Sequence, residues 1–315
     1  MIDVACIGIF VADVIAKPVD SIPKPGLLER IDSISTYSGG CAMNAGVDMA
    51  KIGLKTAVLG KMGNDSFGAF LREELVKYGV ETGGVAIDDN AQTSASVVIS
   101  ASNGERSFLH CVGANATFCY ADVNWDIVEK SRIVFVAGTM LMDAFDGADC
   151  ARVLKRCKEM GKITVLDTAW DSKGRWMQVL APCMPYIDVF MPSIDEAIEL
   201  AGGETDPKKI ADYFFSLGVG KVVIKLGSKG CYLREEESAE GIVVPCYKVT
   251  AVDTTGAGDS FCAGFLTGMA KGLSFADCGK FANAVGAHCV QAMGASTGIR
   301  SFAEIQAFIE EREKN

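Results

Sequence analysis

Histidine is nearly missing from this chain, with only His110 and His288 in 315 residues. No two of the twelve cysteines are spaced Cys-x-x-Cys, so neither residue type completes a zinc set by spacing. No apolar run approaches the roughly 18 residues of a membrane helix. The start of the chain runs directly into the apolar stretch Val4–Phe10, without the charged-then-apolar layout of a signal peptide. A reduced, cytoplasmic protein with cysteines as small core residues is the expectation. Positive charge is also short, 30 Lys and Arg against 40 Asp and Glu, and the net charge of −10 excludes a general nucleic-acid or anionic-membrane binder. Two nucleotide signatures are missing as well. Gly60-Lys61 is followed by Met62 and Gly220-Lys221 by Val222, so there is no Walker A loop. Only Gly8 stands where a dinucleotide fold needs Gly-x-Gly-x-x-Gly.

What is present is apolar sequence, 49% of the residues, ample for a large core. From Ile133 onward, short β-rich runs (Ile133–Ala137, Ile163–Leu166, Val189–Met191, Lys221–Leu226) alternate with helical stretches, which predicts a mostly parallel sheet covered on both faces. A helix is expected over about 42–52, and another capped by Ser66 and running to Tyr78. Residues 15–37, with Pro18, Pro23, Pro25 and Gly26, read as irregular strands outside the main sheet. Ala95–Ser100 and Ser107–Cys111, joined by a turn at Asn103-Gly104, read as a hairpin. The expectation is a single domain over 1–315, with lid segments at about 14–37 and 92–112. Asp13, Asp167, Ser193 to Glu196, Gly227 and Asp253 each follow an expected strand, and strand ends of an open parallel sheet share one ligand-binding rim. The acidic triplet Glu235–Glu237 reads as a solvated hairpin tip.

The stretch Asp253-Thr254-Thr255-Gly256-Ala257-Gly258-Asp259-Ser260-Phe261 carries the chemistry. Glycines let the backbone approach a ligand, and the apolar run after them marks the start of a buried helix. A helix start leaves N–H groups unpaired and carries partial positive charge, so it suits an anion. Asp259, in the first turn, would lie beside that anion as a base; the plain structural alternative is a carboxylate that caps the helix. A second motif, Gly39-Gly40-Cys41-Ala42-Met43-Asn44-Ala45-Gly46, places a glycine pair and an Asn where they suit a polyol, with a Gly-Gly turn before a helix as the alternative.

These two motifs resemble, in the expected order, the C-terminal and N-terminal signatures of the ribokinase-like (PfkB) sugar and nucleoside kinases. The resemblance runs from Asp13 to about Gly298 and implies a Rossmann-like three-layer αβα sandwich with a mostly parallel sheet and a small β-sheet lid. It implies Asp259 as catalytic base and the backbone of Gly256, Ala257 and Gly258 as anion hole. Asp13, Gly39, Gly40 and Asn44 would hold the substrate hydroxyls. ATP would be bound through Ser193, Glu196, Lys225, Gly227, Gly230 and Asn283, with Glu196 holding Mg2+ through water. Ser193 departs from the Asn of that family segment. Asp253 and Thr255 match positions that offer oxygens to a monovalent cation, K+.

The implied reaction is attack of a substrate hydroxyl, a CH2OH, on the γ-phosphate of ATP. Relatives acting on phosphorylated sugars often carry Lys directly after the glycine pair; Cys41 here points to a free sugar or sugar acid instead. A nucleoside substrate, with Phe108 and Phe118 stacking on the base, is the runner-up, and an inactive binding protein on the same fold is a third reading. Arg106 is expected as an exposed hairpin residue, with a substrate contact as the alternative. Gly113-Ala114-Asn115-Ala116 resembles a further segment of the family, and lid-to-lid contact would make a homodimer.

Overall fold

The computed structural model describes residues 1–103 and 105–314, which form two sheets of unequal size. In chain order, β1 (Ile2–Gly8), β2 (Val11–Lys17) and β3 (Ser33–Gly39) lead into α1 (Cys41–Ile52), β4 (Thr56–Gly63), α2 (Ser66–Lys77) and β5 (Glu81–Asp88). Then come β6 (Ala95–Ser100), β7 (Arg106–Cys111), α3 (Trp125–Lys130), β8 (Ser131–Thr139), α4 (Ala148–Glu159), β9 (Ile163–Thr168) and α5 (Met177–Leu180). The last part runs β10 (Val189–Phe190), α6 (Ile194–Leu200), α7 (Pro207–Ser216), β11 (Lys221–Lys225), β12 (Cys231–Arg234) and β13 (Ile242–Val244), followed by α8 (Ala257–Lys271), α9 (Phe275–Cys289) and α10 (Phe302–Glu313).

The large sheet has the order β13-β12-β11-β10-β9-β8-β1-β4-β5, parallel except where β12 pairs β11 and β13 antiparallel. Along β1, Ala5 and Ile7 join one apolar layer while Val4 and Cys6 join the other, the period-2 signature of a strand buried on both faces. β1 lies between β4 and β8, so the chain changes direction of winding there. In open α/β sheets ligands collect at the strand ends beside such a switch. The helix starts of α1 and α8 meet at that place, and the small sheet β3-β2-β6-β7 stands beside it.

Three local expectations need correction. The cap of α2 is Asp65, whose side chain accepts from Gly68 N at 2.9 Å; Ser66 is the first helical residue. β5 had no counterpart in the sequence reading, because its Gly83-Gly84 pair hides the strand pattern. Asp13 does not follow a strand of the main sheet but lies inside β2, paired with Tyr37 and Ser96 of its neighbours. β6 and β7 pair antiparallel, and Gly104 of the expected turn lies outside the described residues. Among the described residues no helix is long and apolar enough to cross a membrane. The cysteines are free.

Candidate active site

α8 begins at Ala257 after Gly256, whose φ of 76° and tight fit both demand glycine: a Cβ there would lie 2.4 Å from the Ala295 Cβ. No side chain caps α8; Ala257 N donates to Thr254 O at 3.2 Å, and the other amides of this turn suit an external anion. Asp259 therefore does not act as a cap. Its Oδ2 accepts a hydrogen bond from Asn44 Nδ2 at 2.8 Å, across 215 residues of sequence. Asn44 Oδ1 is buried with no partner, so one end of the amide orients Asp259 and the other is left for a donor such as a hydroxyl. Burial raises the Asp259 pKa above the ordinary carboxylate value, against the opposing pull of Asn44, Lys225 and Cys41.

The glycine pair before α1 is positioned by close contact. A Cβ on Gly39 would fall 2.4 Å from Asp13 Oδ2, and one on Gly40 (φ 99°) would fall 2.4 Å from Ile9 O. Only glycines let β3 pass the Asp13 carboxylate and turn into α1 against the end of β1. Burial raises the Asp13 pKa, opposed by Ser96 and His110. Asn115 secures the same corner: its Oδ1 accepts from Phe10 N at 3.2 Å and its Nδ2 donates to Phe10 O at 2.9 Å. Asp48, which the sequence reading did not single out, accepts from Ser260 Oγ at 2.6 Å and joins α1 to α8 directly behind Asp259. Burial pushes its pKa up to about 7. Its place four residues before the end of the glycine-led helix looked like any polar helix position.

Residues expected on the nucleotide side are mostly taken up within the protein. Ser193 caps α6, accepting from Glu196 N at 3.4 Å, while Glu196 Oε2 accepts from Ser193 N at 2.9 Å and Thr168 Oγ1 at 3.0 Å. Asn283 is buried and donates to Val244 O at 3.0 Å and Pro245 O at 3.2 Å, so it ties α9 to the end of β13. Gly230 (φ 100°) serves a tight turn, since a Cβ would overlap Val244 O at 2.0 Å. Lys225 ends β11 and is buried in an ion pair with Asp167 at 2.6 Å. Gly227 (φ 58°) alone faces open space, with nothing within 4 Å of a Cβ.

Arg106 is exposed on the hairpin, as expected, and it also makes a contact that the sequence did not show. It reaches from β7 to Asp253 Oδ1 at 3.1 Å and to Thr255 Oγ1 at 2.8 Å. Burial works against the Asp253 carboxylate, but Gly294 N–H, Thr255 and Arg106 pull its pKa down to about 2. With those donors and a guanidinium in place, Asp253 and Thr255 do not fit K+ in this arrangement. Among the described residues no group of three His, Cys, Asp or Glu could hold a metal alone. The single buried carboxylate of Glu196 does fit Mg2+, which is commonly held by one or two carboxylates together with substrate phosphates and water. Phe118 packs in the core against Phe145 with ring centroids 5.1 Å apart, and Phe108 is exposed on the small sheet; neither lines this cleft as a base-stacking ring.

Residues 1–301 match the model of a family described as "pfkB family carbohydrate kinase". The chain is 28% identical over 293 residues to the 2-dehydro-3-deoxygluconokinase of Bacillus subtilis (strain 168), covering 90% of each. It superposes on the structure of Arabidopsis thaliana ribokinase complexed with ribose and ATP with a TM-score of 0.87 and 27% identity, covering 98% of this chain and 99% of that one. The ribokinase of Thermotoga maritima gives a TM-score of 0.83 and 25% identity, covering 98% and 100%.

Proposed function

Since this chain belongs to the pfkB family of carbohydrate kinases, we propose that it phosphorylates a hydroxymethyl group of a small sugar or sugar acid, with Asp259 as catalytic base and ATP as donor. The observation that carries this reading is the Asn44–Asp259 contact of 2.8 Å at the uncapped start of α8. A neighbouring hydroxyl of the polyol donating to Asn44 Oδ1 would hold the reacting hydroxyl beside Asp259, which accepts its proton as the oxygen attacks phosphorus. The amides of Gly256, Ala257 and Gly258 face the charge that develops on the transferring group. Asp13, Gly39 and Gly40 orient the rest of the polyol. Glu196 would hold Mg2+, and that ion when bound neutralises phosphate charge. Gly227 leaves room for the nucleotide, while Ser193, Gly230 and Asn283 shape the surrounding backbone.

The small sheet would act as a lid that excludes water from the transfer. It exposes Ile34, Phe108 and Leu109, which the lid of a second copy would cover in a homodimer. The ribose and ATP bound to the Arabidopsis relative and the activity named for the Bacillus relative support a sugar or sugar-acid acceptor.

The test is ADP release from Mg-ATP over ribose, fructose, 2-keto-3-deoxygluconate, other ketoses and nucleosides, with Asp259→Asn alongside. Turnover of a sugar or sugar acid that the substitution abolishes supports the proposal. Turnover of nucleosides alone overturns the acceptor class, and an unchanged mutant overturns the base.

A further inference from the structure

The Asp167–Lys225 pair has no role in the mechanism above, and its position is difficult to explain by stability. β10 is only two residues long, yet the chain beyond it stays between β9 and β11 at the rim, with Met191 N donating to Leu166 O at 2.9 Å and Ser193 bridging to Lys225. Lys225 N donates to Pro192 O at 2.9 Å, and Lys225 Nζ reaches past this segment to Asp167 Oδ1 at 2.6 Å. The two side chains are 12% and 4% exposed. Asp167 is fixed further by Thr168 N–H on Oδ1 at 2.9 Å and by Cys262 Sγ on Oδ2 at 3.3 Å. The ammonium is thereby wedged under the first turn of α8. A Cβ built on Gly258 would meet Lys225 Nζ at 3.7 Å and nothing else within 4 Å outside its own helix.

A cation beneath a helix N-terminus has the same sign as the helix dipole end, which destabilises it. A buried ion pair is itself often no more stabilising than apolar residues of the same volume. Both costs fall when an anion arrives at the turn from the other side. Burial alone would lower the Lys225 pKa, but the Asp167 carboxylate more than reverses this and keeps the ammonium charged.

We propose that Lys225, anchored by Asp167, is a positioning residue for phosphoryl transfer, supplying positive charge from beneath the Gly256–Gly258 turn to the transferring phosphoryl group and to Asp259. The proposal rests on the reading of Asp259 as base, and it adds a charge source behind the backbone amides. The groups that act on Asp259 come from several elements: Asn44, Cys41 and Asp48 on α1, Asp167 on β9, Glu196 on α6, Lys225 on β11, Cys262 on α8 and Cys289 on α9. Lys225 is the cation among them.

Calorimetric titration of ADP and of the non-hydrolysable analogue AMP-PNP tests this without turnover. Wild type should bind AMP-PNP more tightly than ADP, and Lys225→Met should erase that difference while leaving ADP affinity within about twofold. Lys225→Arg should keep the difference, which separates charge from folding. In steady state Lys225→Met should lower kcat by about a hundredfold, on the scale of one lost oxyanion donor, with sugar KM unchanged. The acid limb of kcat/KM should move up in Lys225→Met and down in Asp167→Asn, because the two substitutions remove opposite charges near Asp259. If both substitutions lower the melting temperature together while the AMP-PNP to ADP ratio and the limb stay in place, the pair is a structural tie and the proposal fails. An equal affinity of the two nucleotides for wild type also overturns it. Activity retained in Asp259→Asn would instead refute the base, while the binding ratios still report on Lys225.

Discussion

At the sugar end of the cleft, Asn44 points one amide group at Asp259 and leaves the other without a partner, and Asp13 sits against glycines that clear a path around it. At the nucleotide end, Ser193 closes a helix cap with Glu196, Asn283 holds two backbone carbonyls, and Gly230 fills a turn. The Asn44 oxygen held back from the protein at one end suits, on the proposed reading, direct recognition of a small hydroxylated ligand. Polar groups consumed by the protein at the other end leave, on the proposed reading, the backbone shape they fix to meet the nucleotide. An unpartnered buried polar atom is costly, so it persists where a ligand completes it.

Substitution at Asp259 should break the sugar end most severely. Asp259→Asn should lower kcat by about 10²–10⁴-fold, the worth of a positioned base, in the ADP-release assay. Burial raises the Asp259 pKa, and a protonated carboxyl cannot accept the substrate proton. The acid limb of wild-type kcat/KM should therefore lie above the ordinary Asp value of about 3.9, with activity lost as pH falls through it. A limb at or below that value would contradict the buried setting.

Gly39→Ala comes next. The new Cβ would displace the Asp13 carboxylate, so sugar KM should rise about tenfold or more while KM for ATP stays the same. Equal effects on both substrates would show that the two ends are not separate.

Asn283→Leu sharpens the contrast from the other side. It strips the Val244 and Pro245 carbonyls of their donor and should cost about 1–3 kcal/mol in denaturant unfolding, with little change in KM for ATP among folded molecules. A raised KM at unchanged stability would place Asn283 in nucleotide recognition after all. Arg106→Ala should have the smallest effect, about 1 kcal/mol or less and smaller still at high salt, since Arg106 is partly exposed and Asp253 keeps its Gly294 and Thr255 donors. The depressed Asp253 pKa adds stability that is in place above about 3.9 and disappears as pH falls towards 2.

Patterns that act within a few residues were legible. The glycine-led starts of α1 and α8, the alternation of strands and helices after Ile133, and the hairpin formed by β6 and β7 all follow from local periodicity and turn chemistry. β5 was hidden because Gly83 and Gly84 weaken its strand pattern, and the cap of α2 was misplaced by one residue because Asp65 and Ser66 are both good caps. Asp48 gave no signal, because a carboxylate inside a helix reads as solvated until Ser260 of a distant helix closes over it.

The sequence by itself determined the family, the αβα architecture and the motif in which Asp259 stands, because glycines, helix starts and apolar periodicity are local properties of the chain. Only the tertiary structure decided that Asn44 orients Asp259, that Asn283 and Ser193 hydrogen-bond to backbone, that Arg106 meets Asp253, and that Lys225 lies beside Asp167. Each of those depends on which strands are neighbours and how far each one extends. Lys225 and Asp167 meet because β9 and β11 flank β10 in the sheet, and no pattern around either residue encodes that order.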